Sequence, residues 1–326
     1  MTTLLRTVVA RDDAADLLDA LAAWTPVGTL ADGLHLGDVG WFLRFDAEEC
    51  AGRLLLWTAV TDGVREPVAA GFLDGPVLRL ALRPDAAPAR RAPASAGMEV
   101  DGPPADPELV GAPDAAGLDR APADSGLVDA LADDIGLLLG DAEAWCDAAD
   151  GTALRAALVS RGWLDERDAP WPLLVHPLSP APPRPAGARP VAEADAADRV
   201  AVQRAAFEGS TFTVERWRLM KDSVAGPFAV EALVRTPDGE AAAAATGWFA
   251  GAGRCAILEP VGAHPDHRGQ GYGRAAVHAV CAALAERGAS AVAVATPGDN
   301  RAAVALYLSA GFVHQRDLHD LYRPAP

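Results

Sequence analysis

Two stretches of the chain, 149 residues apart, follow one pattern. TALRAALVSRGWLDERDAPWPLLVHPL (residues 152–178) matches RAAVALYLSAGFVHQRDLHDLYRPAP (residues 301–326), with Gly162-Trp163 falling on Gly311-Phe312. Upstream, VLRLALRPD (77–85) parallels ILEPVGAHPD (257–266), with Pro84-Asp85 on Pro265-Asp266 at an offset of 181. A repeat on this scale restricts the chain to two copies of one fold. The offsets differ by 32, so the first copy carries about 32 extra residues between these landmarks.

Those extra residues fall where the composition changes. Residues 84–126 are rich in Pro, Ala, Gly and Asp with no apolar period. Such a segment buries too little surface to offset its ordering entropy, and a long loop or disordered insert is expected. PLSPAPPRPAGARP, residues 177–190, has six prolines in fourteen positions. Polyproline stiffness suits a spacer. The expected division is a first domain over 1–178, a linker over 179–190 and a second domain over 191–326.

The 326 residues suffice for two such cores, and 50% hydrophobic with 22% charged is globular composition. No apolar run reaches the roughly 18 residues of a membrane span, and MTTLLRTVVARDD lacks a basic-then-apolar leader pattern. Cys50, Cys146, Cys255 and Cys281 form no CxxC, so no disulfide framework or zinc ribbon is expected, and a reducing cytoplasm is the simplest compartment. The formal net charge is −17, which gives a nucleic-acid backbone no electrostatic help. The acid is concentrated early: residues 1–189 carry a net −15 and residues 190–326 only −2. The second half is therefore free to host an anionic ligand. The early acid suits a solvated surface, with attraction of a cationic acceptor as the alternative.

In the second copy a short strand near Pro190–Ala192 precedes helices over Asp195–Phe207 and Val214–Ser223. Strands Ala229–Arg235 and Ala242–Phe249 flank the turn Pro237-Asp238-Gly239, and Ala256–Ala263 follows. Gly273–Arg287 has helical apolar spacing and ends at Gly288, a C-cap residue. Ala291–Thr296 reads as a buried strand, Asn300–Ala310 as a helix and Phe312–Arg323 as a strand pair. The fold class is α/β (α+β), with a mixed sheet flanked by helices in each domain.

Chemistry concentrates in Arg268-Gly269-Gln270-Gly271-Tyr272-Gly273, between a strand and a helix. Three glycines allow a tight turn whose N–H groups converge on an anion, and the helix N-terminus adds partial positive charge. No Lys-Ser/Thr pair follows, as a P-loop requires. The spacing is GxGxG, not the dinucleotide GxGxxG. With strand, loop, helix and apolar strand followed by Asn300 and Ala303-x-x-Leu306-Tyr307-x-x-x-Gly311-Phe312, residues 190–326 resemble the GCN5-related N-acetyltransferase (GNAT) superfamily. The first copy resembles that fold by element order alone, giving a tandem arrangement.

The resemblance implies acetyl-CoA as co-substrate, its pyrophosphate held by the backbone of Arg268, Gly269, Gln270, Gly271, Tyr272 and Gly273. It implies that Val261 and Ala263 pair with the cofactor arm through their main chain and that Asn300 contacts that arm. Tyr307 matches the general acid for the departing thiolate; a phenol with pKa near 10 is protonated at neutral pH. The bland alternatives are a core ring for Tyr307, an N-cap for Asn300 and a loop-fixing group for Arg268. Glu259, two residues before Val261 and facing the same way, is the first candidate base, with a paired surface carboxylate as its structural alternative. Glu231 is the second.

His264 and His267 form HxxH without a third ligand, so no metal is expected. His314 and His319 are candidate acceptor contacts. In the first copy Leu158 replaces Tyr307, Gly151 replaces Asn300 and the Pro/Ala-rich segment replaces the glycine loop. That copy is expected to be degenerate and to wall the acceptor site. The expected function is direct acetyl transfer to a primary amine of a small molecule, by a monomer or homodimer with no nucleic-acid or membrane partner. An acyl-CoA-binding regulatory pseudoenzyme and a protein N-acetyltransferase are the alternatives.

Overall fold

The computed structural model describes residues 2–30, 33–84, 125–165 and 170–325. The Pro/Ala-rich segment lies almost wholly outside these; its last two positions, 125 and 126, open a helix instead of ending a loop.

The first half runs β1 (Thr2–Val9), α1 (Ala15–Trp24), α2 (Leu36–Phe42), α3 (Ala47–Cys50), β2 (Leu54–Thr61), β3 (Val64–Asp74) and β4 (Val77–Leu82). It continues with α4 (Ser125–Leu139), β5 (Ala144–Cys146), α5 (Ala153–Ser160), β6 (Leu164–Asp165) and β7 (Trp171–Pro177). The second half repeats the order with β8 (Ala188–Pro190), α6 (Ala196–Ala206), α7 (Val214–Asp222), β9 (Ala229–Arg235), β10 (Ala241–Trp248) and β11 (Cys255–Ala263). It closes with α8 (Tyr272–Glu286), β12 (Ala291–Ala295), α9 (Arg301–Ser309), β13 (Val313–Leu318) and β14 (Leu321–Arg323). Two mixed, mostly antiparallel sheets of seven strands result, each flanked by helices, in the expected fold class.

The strand pair expected over Phe312–Arg323 is not a pair. One sheet is ordered β1-β2-β3-β4-β5-β14-β6 and the other β8-β9-β10-β11-β12-β7-β13. The last strand of each half thus lies between the fifth and sixth strands of the other. β7 pairs antiparallel with both β12 and β13, while β14 pairs with β5 and β6. Neither sheet is drawn wholly from one side of the Pro-rich stretch, whose last three residues are themselves strand β8.

The halves also share a core. Leu17 and Leu21 of α1 and Leu36, Val39 and Phe42 of α2 pack with Trp217, Trp248, Cys255 and Ile257 of the second half. Gly37 and Gly40, three residues apart on one face of α2, make this contact possible. A Cβ on either would sit 2.5 or 2.4 Å from the Trp248 ring, so only glycine lets the helix lie against that buried indole. His35 caps α2: its Nδ1 accepts from Gly37 N–H at 2.9 Å, and Asp38 Oδ2 accepts from His35 N–H at 2.6 Å. The helix therefore delivers Asp38 from the first half to the face of the second sheet.

Candidate active site

β11 and β12 pair in parallel only from Cys255↔Ala291 to Ile257↔Ala293, then separate. On its other edge β11 continues along β10, with His264 N–H donating to Ala242 O at 2.8 Å. By the alternation of an antiparallel ladder, Val261 and Ala263, opposite Ala245 and Ala243, turn their N–H and C=O groups away from β10 and toward the gap. Arg268 fixes the loop beyond: Nε donates to Ala263 O at 3.4 Å and an Nη to Ala206 O at 3.3 Å.

That loop needs its glycines. Gly269 and Gly271 have φ of +74° and +87°, in the left-handed region. No atom lies within 4 Å of a Cβ built on either, so the space beside the loop is open. Gly271 caps the fifteen-residue α8 without a side-chain acceptor, which leaves the first-turn N–H groups facing that space. Gln270 Nε2 donates back to Asp266 O at 3.3 Å, and the Tyr272 ring stands edge-on to His267. Gly273, in the first turn of α8, packs against Leu306 of α9.

A cavity of about 670 Å³ lies at the mouth of the gap. Glu259, Val261, Asn300 and Tyr307 line it, and the first half supplies Asp38, Trp41, Arg44 and Arg79. Ala263 and the glycine loop lie outside its wall. Asn300 Oδ1 accepts from Ala303 N–H at 3.2 Å and so caps α9 while lining the cavity. Tyr307 is 6% exposed, its ring 5.6 Å from that of Phe312, and its hydroxyl has no partner among the described residues. Burial, reinforced by the Glu259 carboxyl, pushes the phenol well above its ordinary pKa.

Glu259 sits in a bulge. Ala245 opposes Val261 and Gly247 opposes Leu258, so Thr246 alone faces Glu259 and Pro260. Trp248 Nε1 holds the Glu259 carbonyl at 2.8 Å. The side chain hydrogen-bonds Asp38, which also accepts from an Arg79 Nη at 3.3 Å. Burial raises the Glu259 pKa well above the carboxylate range, and the neighbouring Asp38 charge and hydrogen bond raise it further against the pull of Arg79 and Arg44.

The other candidates lie elsewhere. Glu231 is structural: its carboxylate accepts from Arg199 Nε at 3.3 Å, Thr246 Oγ1 at 3.2 Å and Trp217 Nε1 at 3.0 Å. His264 Nδ1 accepts from Asp266 N–H, and His267 approaches Glu240 at 3.3 Å. No group of side chains suited to a metal occurs among the described residues. His314 pairs with Asp317 at 2.8 Å, outside the cavity. His319 lines a second cavity of about 300 Å³, beside Asp147 and Asp320.

The first half shows what a closed gap looks like. At the repeat offset of 181, Leu80 of β4 corresponds to Val261. Its N–H donates to Asp147 Oδ1 at 2.5 Å, and its carbonyl accepts from Leu34 N–H at 3.1 Å. Leu158, in the Tyr307 position, is fully buried, and Thr152 caps α5 one position after Gly151. Sequence reasoning expected this half to wall the site but named none of the wall residues. The capping pattern His35-x-x-Asp38 and the Gly37/Gly40 face were the available signals.

Residues 200–312 match the model of the acetyltransferase (GNAT) family. No curated protein sequence matches the chain. Among solved structures, a tandem GNAT protein from the clavulanic acid biosynthesis pathway aligns over 99% of both chains with a TM-score of 0.55 and 18% identity. A Drosophila protein covers 99% of this chain and 100% of its own, with a TM-score of 0.50 and 12% identity. These two likenesses are of fold, and they span both halves of the chain. Among the described residues, no helix is long and apolar enough to cross a membrane.

Proposed function

We propose, from the premise that residues 200–312 are a GNAT-family acetyltransferase domain, that this acyltransferase moves an acetyl group from acetyl-CoA to a primary amine of a small molecule. One observation carries the reading. The gap between β11 and β12 opens onto free backbone groups at Val261, a glycine loop follows at its far end, and Glu259 and Tyr307 meet in the cavity at its mouth. A long arm that carries amides and ends in phosphates fits such a gap and loop. Val261, Ala263 and Asn300 would hold the arm, and residues 268–273 the pyrophosphate.

Bound there, acetyl-CoA supplies a thioester carbon open to attack by an amine. The Val261 main chain is free to hold and polarise the thioester carbonyl. Glu259 accepts the proton that the amine nitrogen loses as its new bond to carbon forms. A carboxyl with raised proton affinity is a stronger base than a surface glutamate. Tyr307, kept protonated by burial, gives its proton to the sulfur as the C–S bond breaks. Both reactants held in one cavity supply proximity, and no covalent enzyme intermediate is required.

The test is CoA release across a panel of amines. Tyr307→Phe and Glu259→Gln are expected to lower kcat by about 10²–10⁴-fold each while acetyl-CoA binding persists. Unchanged turnover in both variants contradicts the assignment.

A further inference from the structure

The cavity holds two arginines, and only one of them is ion-paired. Arg79 bonds Asp38 at 3.3 Å and approaches Asp74 at 3.7 Å. Arg44 has no carboxylate partner among the described residues. One of its donors reaches Trp41 O at 2.7 Å, and its guanidinium carbon lies 4.2 Å from the Trp41 ring centroid and 4.1 Å from that of Phe45. Stacking on two aromatic faces orients a guanidinium and leaves its remaining N–H donors for a ligand. Arg216, stacked 4.7 Å from the same Phe45, is already paired with Glu49 at 2.7 Å. Burial also pulls the Arg44 pKa down to about 10, against the favourable charge of Glu259.

The base, Glu259, lines the same cavity and lies within electrostatic reach of Arg44. The cavity therefore offers a base to an amine and a guanidinium to a planar or tetrahedral anion. We infer that the acceptor is an amine that also carries a carboxylate or a phosphate, and that Arg44, supplied by the first half, binds that anionic group. The inference rests on the acetyltransferase reading and names the substrate class for the same site. It also gives the first half a part in acceptor selection, because Arg44 follows directly on the helix that brings Asp38 to Glu259.

Matched pairs test it: phenylalanine against phenethylamine, 4-aminobutyrate against butylamine, and glucosamine 6-phosphate against glucosamine. Each is titrated calorimetrically into the full chain saturated with CoA and assayed for CoA release with acetyl-CoA. The anionic member of at least one pair is expected to be preferred by about tenfold or more. The amino-acid and sugar pairs separate carboxylate from phosphate. Arg44→Gln should bring that preference close to unity, and Arg44→Lys should retain part of it. Undiminished acetyl-CoA binding by both variants reports an intact fold. Equal or better use of the neutral members overturns the inference, as does an unchanged preference in Arg44→Gln. Failure of every anionic member to bind protein that does bind CoA overturns it too. Neutral amines acetylated with no anion preference leave the acetyltransferase reading standing; absence of acetyl-CoA binding removes that reading itself.

Discussion

Asp147 accepts a hydrogen bond from the Leu80 N–H at 2.5 Å, on the strand position that corresponds to Val261 in the second half. The Leu80 carbonyl is taken as well, by Leu34 N–H. Both main-chain groups that a cofactor arm would use in the first half are thus satisfied from within, whereas those of Val261 face an open gap. The difference between the halves lies in hydrogen bonding as well as in missing motif residues. Displacing Asp147 would leave a buried N–H without its partner, at a cost of about 1–3 kcal/mol.

The strand exchange predicts that the halves do not fold apart. β7 lies between β12 and β13, so a fragment of residues 191–326 lacks an interior strand of its own sheet. It also loses the apolar face of α1 and α2. Expressed alone, the fragment is expected to show no cooperative urea transition and no acetyl-CoA binding. A cooperative transition with retained binding contradicts the exchange.

Asp38 is predicted to set the pH range of catalysis. Its charge and hydrogen bond add to burial in raising the Glu259 pKa, so removing the charge lowers that pKa. The acidic limb of kcat/KM is expected above the ordinary carboxylate value of about 4.3. In Asp38→Asn that limb moves to lower pH. Ionisation of the amine is common to both proteins, so the displacement between their profiles reports on Glu259. A limb that stays in place or moves upward contradicts the assignment.

His35 is predicted to make stability fall in acid. It is 1% exposed, its Nδ1 accepts from Gly37 N–H, and Nε2 faces the Cys255 carbonyl of the second half at 3.2 Å. Burial lowers its pKa from 6.5 to about 4. A depressed histidine pKa leaves stability intact above pH 6.5 and removes it as pH falls toward 4, by about 3 kcal/mol. Urea unfolding at pH 7 and pH 4.5 should show a steeper loss for the native chain than for His35→Asn, whose amide oxygen can still cap α2. Equal slopes contradict the prediction.

The sequence carried local order well and long-range pairing poorly. Ala229–Arg235 was legible from the adjacent Pro-Asp-Gly turn, and α8 from its apolar spacing and Gly288. The partners of β13 and β14 were not legible. Three-dimensional exchange leaves no mark in strands as short as VHQRDL and LYR, and the brief gap between Leu318 and Leu321 imitates a local pair. Tyr307, Glu259, Val261 and Asn300 do share a cavity, yet Asp38, Arg44 and Arg79 went unnoticed. They lie about 180 residues or more before Glu259, in a half without the motif, and only the packing of α2 on Trp248 brings Asp38 there. Glu231 had the strand position of a base, but Arg199, Thr246 and Trp217 consume its oxygens.

On the proposed function the chain holds a single working acetyl-CoA site, in the second half. Calorimetric titration of acetyl-CoA into the full chain tests it most directly. One site per chain is expected, lost in Gly271→Glu, which would place a charged side chain in the left-handed position beside the loop. Two sites would contradict the closure of the first half by Asp147 and Leu34, and no binding would contradict the acetyltransferase assignment as a whole.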